Sequence, residues 1–199
     1  QRLKRLAAKR GDEEQESSDS EDEGFRDEDL IYRHFDISKK YATNAVVFFV
    51  MDVSGSMTKE KKFLARSFFF LLYHFVRSRH RHVEIVFVAH DTEAYEVNEK
   101  QFFTRSDGGG TIVSSALEHV RHATMSRFHP DSWNVYVFQC SDGDNYTEDN
   151  EKTLGILTSL KEHVQLFGYC EIETEKRYAF DSTRLSDHYK TLADEKLKI

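Results

Sequence analysis

An acid and two hydroxyl side chains occur within five residues, directly after an apolar run. The run covers residues 45–51, and Asp52, Ser54 and Ser56 follow it in the order Asp-Val-Ser-Gly-Ser. Carboxylate and hydroxyl oxygens are hard ligands, of the type that small divalent cations prefer. The spacing therefore predicts a divalent-cation site at the carboxyl end of a buried strand.

Two later segments carry polar side chains at the same kind of position. Residues 107–111 read Asp-Gly-Gly-Gly-Thr before a predicted helix, and residues 141–144 read Ser-Asp-Gly-Asp after a predicted strand. In an open α/β sheet, ligands bind at the carboxyl ends of the strands. We therefore expect five donors to converge on one Mg²⁺ or Mn²⁺ ion: Asp52, Ser54, Ser56, Thr111 and Asp142. A coordination position left open could take a partner's Asp or Glu carboxylate.

The elements that would position these donors alternate between strand and helix. Apolar runs predict strands over residues 45–51, 82–90, 133–140 and 164–172, and helical periodicity predicts helices over 58–79, 111–125, 148–163 and around 185–197. The first helix has apolar residues around most of its circumference and is expected to be largely buried. Residues 93–97 are shorter and more polar, which favours an antiparallel edge strand. The alternation predicts an α/β fold, with an open, mostly parallel sheet and helices on both faces.

The net charge of −7 is distributed unevenly along the chain. Residues 1–10 carry five basic side chains and no acid, whereas residues 11–29 carry eleven acids and one Arg. We expect 1–29 to be a disordered charged segment, because it has few apolar side chains to bury, 30–44 to be a transition segment and 45–199 to be one folded domain. The folded part is close to neutral, so its charge predicts neither nucleic-acid nor anionic-membrane binding.

The sequence also bears on membrane insertion, on the state of the cysteines and on processing. The longest apolar stretch, residues 63–76, is interrupted by polar residues and is shorter than the roughly 20 residues of a membrane span. Cys140 and Cys170 lie in strand-like runs and are expected to be buried free thiols rather than a disulfide. The first residue is Gln, so we expect an excerpt or a processed form, and a signal upstream stays open.

Enzyme classes fit the sequence less well than a binding site. The glycine-rich segment lacks the lysine of a P-loop, and neither Ser54 nor Ser56 lies in a G-x-S-x-G nucleophile elbow. Asp144 and His90 are the only candidates for a general base. We expect no enzyme, and a metal-dependent hydrolase or phosphotransfer enzyme is the competing interpretation.

Two segments have a second interpretation. Ser54 or Ser56 could cap the helix that follows and bind no metal. Glu118, His119 and His122 could bind zinc, although a solvated helix face explains the same residues.

The five donors and their flanking residues resemble a known family. The pattern Asp52-x-Ser54-x-Ser56, joined to Thr111 and Asp142, resembles the metal-ion-dependent adhesion site of von Willebrand factor A domains in all five positions. Residues 48–57, 109–117 and 139–145 closely resemble the YeaH/YhbH (DUF444) family. The resemblance covers about residues 45–192. It implies a von Willebrand factor A-like, Rossmann-like fold in a family of bacterial cytoplasmic proteins linked to stress and sporulation.

The resemblance also implies a role in metal-dependent protein binding. It implies that Asp52, Ser54 and Ser56 coordinate Mg²⁺ or Mn²⁺ directly, while Thr111 and Asp142 bind directly or through water. Members of the family tend to be encoded beside a PrkA-type serine protein kinase and a SpoVR-like protein. These two proteins are therefore candidate partners by association.

Overall fold

The described part of the chain alternates between strand and helix, as its apolar pattern predicts. The computed structural model describes residues 44–79, 82–104, 108–173 and 184–199. The strands are β1 (Asn44–Asp52), β2 (Val83–His90), β3 (Ala94–Val97), β4 (Trp133–Ser141), β5 (Leu166–Glu171) and β6 (Leu197–Lys198). The helices are α1 (Lys59–Arg79), α2 (Glu99–Thr104), α3 (Val113–Ser126), α4 (Asn150–His163) and α5 (Leu185–Lys190). The predicted disordered segment 1–29 lies outside the described residues, as do 30–43 of the transition segment and Asp107.

Six strands form one sheet in the order β3-β2-β1-β4-β5-β6. All neighbouring pairs are parallel except β2 and β3, which pair antiparallel at the edge. This arrangement confirms the predicted open, mostly parallel sheet with one short antiparallel edge strand. The central strand β1 is flanked by strands on both sides and buried from Val46 to Asp52, which explains its unbroken apolar run. The chain order reverses across β1 and β4, the type of position at which α/β sheets bind ligands.

Helices cover both faces of the sheet, as predicted. Alternate residues of β1 point to opposite faces. Phe48 belongs to a core cluster that includes side chains of α3, α4 and α5, while Phe49 belongs to one that includes side chains of α1 and α2. Among the described helices, none combines the length and hydrophobicity that a bilayer crossing demands.

The burial predicted for α1 is wrong on its outer side. Its inner side is buried through Ala65, Phe69 and Val76. Six large apolar side chains of the same helix are exposed: Phe63, Leu64, Phe68, Phe70, Leu71 and Phe75. A helix contacts a sheet along one stripe, and its outer half is buried only where a further layer covers it. Apolar residues around the whole circumference therefore do not establish that the whole circumference is buried.

The chain after α4 also differs from the prediction. The expected helix over residues 185–197 ends at Lys190, and Leu197 belongs to β6, where it pairs with Phe167 of β5. The Asp194 carboxylate accepts hydrogen bonds from the backbone N–H groups of Lys196 and Leu197, at 2.8 and 2.9 Å. This local turn offers the backbone an alternative to the helix.

The short helix α2 was not predicted. Asn98 and Gln101 form a reciprocal cap at its start: the Gln101 N–H donates to Asn98 Oδ1 at 2.9 Å, and the Asn98 N–H donates to Gln101 Oε1 at 3.1 Å. A capping side chain followed three residues later by Gln is a sequence signature of a helix start. The signal was present in the sequence and was missed.

Candidate metal site

Backbone hydrogen bonds join the loop after β1 to the end of β2 and to the glycine-rich segment between α2 and α3. The Val53 N–H donates to the His90 carbonyl at 2.8 Å, and the Gly55 N–H donates to the Gly109 carbonyl at 2.9 Å. A Cβ atom at Gly55 would lie 3.2 Å from that carbonyl oxygen, so a side chain there would crowd the contact. The Asp-Val-Ser-Gly-Ser loop is thereby held against the glycine-rich segment.

Three of the five predicted donors form a continuous chain of oxygens. Ser54 Oγ lies 3.1 Å from Ser56 Oγ, and Ser56 Oγ donates a hydrogen bond to Asp142 Oδ1 at 3.3 Å. Adjacent oxygens in a Mg²⁺ octahedron lie about 2.9 Å apart, since the bonds are about 2.0–2.1 Å long. The donor chemistry and its spacing therefore fit a small hard cation.

Asp52 is fully buried and contacts the loop that carries this chain of oxygens. Its Oδ1 accepts the Ser54 N–H at 2.8 Å, and its Oδ2 accepts the hydroxyl of Ser141 at 2.9 Å. The carboxylate thus holds the serine loop and ties it to the end of β4. Because a carboxylate oxygen can accept more than one partner, Asp52 also has the capacity to contribute to cation binding.

Thr111 lies at the edge of the site. It lines a cavity of about 220 Å³ together with Ser56, Gly110, Asp144 and Tyr146. The chain of oxygens joins Ser54, Ser56 and Asp142. Thr111 meets it at the cavity wall that it shares with Ser56. Of the five predicted donors, Ser56 and Thr111 line this cavity.

A lysine that the sequence analysis did not select pairs with the site. Lys61 Nζ lies 2.7 Å from Asp142 Oδ2 and donates to the Ser56 carbonyl at 3.1 Å. The Asp142 side chain is fully buried, and that of Lys61 is 18% exposed. These oxygens therefore already bind a positive charge. Lys59 and Lys62 lie within two residues of Lys61 in the sequence, so the sequence alone does not select Lys61. The rotational position of α1 brings it to the edge of the sheet.

The capping alternative for the serine loop is not what the structure shows. At the start of α1, Thr58 Oγ1 accepts the Lys61 N–H at 3.3 Å, which leaves the Ser54 and Ser56 hydroxyls in the oxygen chain. Thr58 is the residue type expected at such a position.

The helix α3 is capped by residues that are distant in sequence. Asn145 Oδ1 accepts the Val113 N–H at 3.1 Å, and Asp149 Oδ2 accepts the Ser114 N–H at 2.9 Å. These amides belong to the first turn, where a helix has no internal acceptors. The loop after β4 therefore positions both Asp142 and the helix start next to Thr111. No local pattern could have identified these caps.

The family comparison covers the whole sequence. Residues 1–199 match the family model described as "Protein of unknown function (DUF444)". The chain belongs to the DUF444 family. A UPF0229 protein from Ruminiclostridium cellulolyticum is 50% identical over 148 residues, which cover 74% of this chain and 37% of that protein. A UPF0229 protein from Bacillus cereus is 38% identical over 171 residues, 86% of this chain and 43% of that protein. The DUF444 chain thus spans about two fifths of the length of these relatives.

Solved structures support the fold of the DUF444 chain. BatB from Bacteroides thetaiotaomicron superposes with a TM-score of 0.55 at 13% identity, covering 78% of this chain and 89% of that one. An aerotolerance-related membrane protein from Bacteroides fragilis gives a TM-score of 0.50 at 13% identity, with coverages of 72% and 83%. At such identity the likeness concerns the fold alone. It confirms that the DUF444 chain has a von Willebrand factor A-like architecture.

His90 of the DUF444 chain lies beside Asp52, its register partner, and is fully buried. Burial lowers the pKa of His90, although the nearby charges of Asp52 and Asp91 oppose this effect. Neither ring nitrogen has a hydrogen-bond partner among the described residues. A buried neutral imidazole adds no charge to the site and is poorly placed to take a proton from a substrate in the cavity.

The zinc alternative finds no support in the described part of the DUF444 chain. Glu118 pairs with Arg121, and His119 Nε2 lies 3.3 Å from Glu96 Oε1. Within residues 44–79, 82–104, 108–173 and 184–199, no group of three or more His, Cys, Asp or Glu side chains could hold a metal ion. The candidate site at the edge of the sheet contains two acids, Asp52 and Asp142, so its remaining ligands would be hydroxyls.

Proposed function

We propose that this DUF444 chain is a metal-dependent protein-binding module. In this proposal five residues hold Mg²⁺ or Mn²⁺: Asp52, Ser54, Ser56, Thr111 and Asp142. The observation that carries the proposal is the oxygen chain from Ser54 through Ser56 to Asp142, which already pairs with the ammonium of Lys61. These oxygens have the chemistry and spacing of a hard-cation site.

The partner would present an Asp or Glu side chain to the site. A bound divalent cation supplies an open coordination position that a carboxylate oxygen can take. The cavity beside Ser56 and Thr111 leaves room for such a side chain, and the half-exposed Tyr146 lies at its wall. Asp52 and Asp142 carry two negative charges, and Lys61 offsets one of them, so a partner carboxylate would approach favourably only with the cation in place. Binding should therefore depend on metal.

A metal-dependent hydrolase or phosphotransfer enzyme is supported less well. Such an enzyme needs a base or nucleophile within reach of the substrate. His90 is fully buried with a lowered pKa, and Asp144 is the remaining candidate at the cavity. The contacts of Ser54 and Ser56 with each other and with Asp142 suit ligands better than nucleophiles.

The biological setting is part of the same proposal. Resemblance to the YeaH/YhbH proteins supports a role in a bacterial stress or sporulation pathway in the cytoplasm. A PrkA-type serine protein kinase or a SpoVR-like protein is the proposed partner. The nearly neutral charge of residues 30–199 gives no reason to add nucleic acid or membrane as a ligand.

The test is retention of the purified kinase or SpoVR-like protein, from the same organism, on immobilised full chain. We expect retention in excess Mg²⁺, loss of retention in chelator, and at least about tenfold weaker binding by Ser56→Ala, because its hydroxyl joins two other donors. Ser78→Ala is the matched control, since Ser78 Oγ donates to its own helix at the Phe75 carbonyl. Retention that persists in chelator would contradict the proposed mechanism.

Substitution of Lys61 should strengthen metal binding. The ammonium occupies Asp142, so it must leave before that carboxylate can coordinate a cation. We expect Lys61→Met to raise Mg²⁺ affinity about threefold to tenfold, a modest gain because the side chain is partly solvated. Calorimetric titration measures it, with Lys59→Met as the control for loss of an exposed lysine on the same helix. Weaker binding by Lys61→Met would show instead that the lysine supports the site.

A further inference from the structure

Cys140 and Cys170 occupy paired positions on neighbouring parallel strands. They are register partners on β4 and β5, and both are free thiols. Neighbouring strands lie about 4.8 Å apart, within the Cα separation of about 4.4–6.8 Å that a disulfide spans. Paired positions of parallel strands direct their side chains to the same face. Both side chains meet the same core cluster: Cys140 is part of it, and Cys170 packs against it.

The two thiols are not equivalent. Cys140 is fully buried, whereas Cys170 is partly exposed. The neighbouring Cys140 side chain lowers the pKa of Cys170 to about 7, although burial and the charge of Glu171 oppose this effect. Because the thiolate is the reactive form, Cys170 is the thiol that an oxidant in solution meets first. Cys140 is its fully buried neighbour.

We propose that Cys140 and Cys170 form a redox-active dithiol that hydrogen peroxide converts into an intrachain disulfide. The register pairing carries this proposal, because it holds both sulfurs on one face of adjacent strands. The difference in exposure assigns the order of reaction, with Cys170 attacking first and Cys140 resolving. The proposal does not depend on metal binding by the donors after β1.

The chemistry balances in two steps. The Cys170 sulfur attacks one peroxide oxygen, the O–O bond breaks, and Cys170 becomes a sulfenic acid as one water leaves. The Cys140 sulfur then attacks the sulfenic sulfur, the S–S bond forms, and the S–O bond breaks. The hydroxyl departs as a second water with the Cys140 proton. Two electrons pass from the two thiols to one peroxide, and a dithiol reductant reverses the reaction by exchange.

The test is oxidation of the reduced full chain with one equivalent of hydrogen peroxide, followed by thiol counting in denaturant and mass spectrometry. The chain has two cysteines. We expect the free thiols to fall from two to none, with a mass loss equal to two hydrogen atoms and recovery in dithiothreitol. Peptide mapping of the wild-type protein should find one linked peptide pair that contains Cys140 and Cys170, a result that needs no variant to fold.

Single variants identify the attacking thiol. Cys170→Ser should keep its Cys140 thiol under the same treatment, because that residue is buried. Cys140→Ser should form a sulfenic acid on Cys170 that dimedone traps. If the wild-type protein also gives the dimedone adduct and keeps a free Cys140 thiol, the two sulfurs do not resolve each other and the proposal is overturned.

Discussion

Asp142→Asn is expected to weaken Mg²⁺ binding by at least about a hundredfold. Loss of a residue that only supports a metal ligand costs about 10-fold to 100-fold in affinity, and loss of the ligand itself should cost more. The substitution removes the negative charge that faces Ser56 and Lys61. It keeps a carbonyl oxygen, so the amide can still accept from the Ser56 hydroxyl and from the Asp144 N–H. The fold should therefore persist. Calorimetric titration of Mg²⁺ and Mn²⁺ into chelator-treated protein measures the effect.

Asp144→Asn is the matched control for Asp142→Asn. Asp144 lies in the same loop and lines the cavity, so its replacement removes the same charge two residues away. We expect an affinity within about threefold of the wild type, because only long-range attraction is lost. Equal losses in both variants would show that the loop attracts cations through its overall charge, which would contradict a site built around Asp142.

Asp52→Ala removes the first acid of the Asp-Val-Ser-Gly-Ser loop, and the structure shows that this change also disturbs the loop itself. Asp52 is fully buried and accepts hydrogen bonds from Ser54 and Ser141. Its removal leaves two donors without an acceptor, at about 1–3 kcal/mol for each unsatisfied group. If this variant lost metal binding, the cause could be either the missing ligand or the disturbed loop. Asp142→Asn separates these two causes and is the better test.

Phe69→Ala is expected to lower the free energy of unfolding by about 3–5 kcal/mol, the range for removing a fully buried phenyl ring. Phe69 is 0% exposed, and its ring centroid lies 5.1 Å from those of Phe49 and Phe102. It therefore joins α1 to both the central strand and α2. Urea unfolding followed by circular dichroism measures the change.

Phe70→Ala is the control because it makes the same change at the next residue of the same helix. Phe70 is 52% exposed, so its replacement should cost less than about 1 kcal/mol, consistent with a partly exposed side chain. The helix propensity changes equally in both variants, and only burial differs. Equal destabilisation would mean that the outer side of α1 is covered in solution.

The regular elements were accessible from local patterns. The unbroken apolar run of β1 predicted a central strand, because a strand buried on both faces has apolar side chains at successive positions. The polar character of β3 predicted an antiparallel strand at the edge. The same reasoning failed for α1, where apolar residues on all sides could not distinguish a covered face from an exposed one. It also extended α5 beyond Lys190, since the Asp194 turn and the pairing of β6 with β5 are tertiary features.

The sequence by itself determined the fold class, the family and the identity of the candidate donors, because the order of apolar runs and the spacing Asp52-x-Ser54-x-Ser56 are local properties of the chain. Only the tertiary structure decided which side chains meet. It placed Lys61 on Asp142, Ser141 on Asp52, and Cys140 against Cys170. These partners lie far apart in sequence, and their contacts depend on helix rotation and strand register. Both are set by packing of the whole core, which no local pattern records.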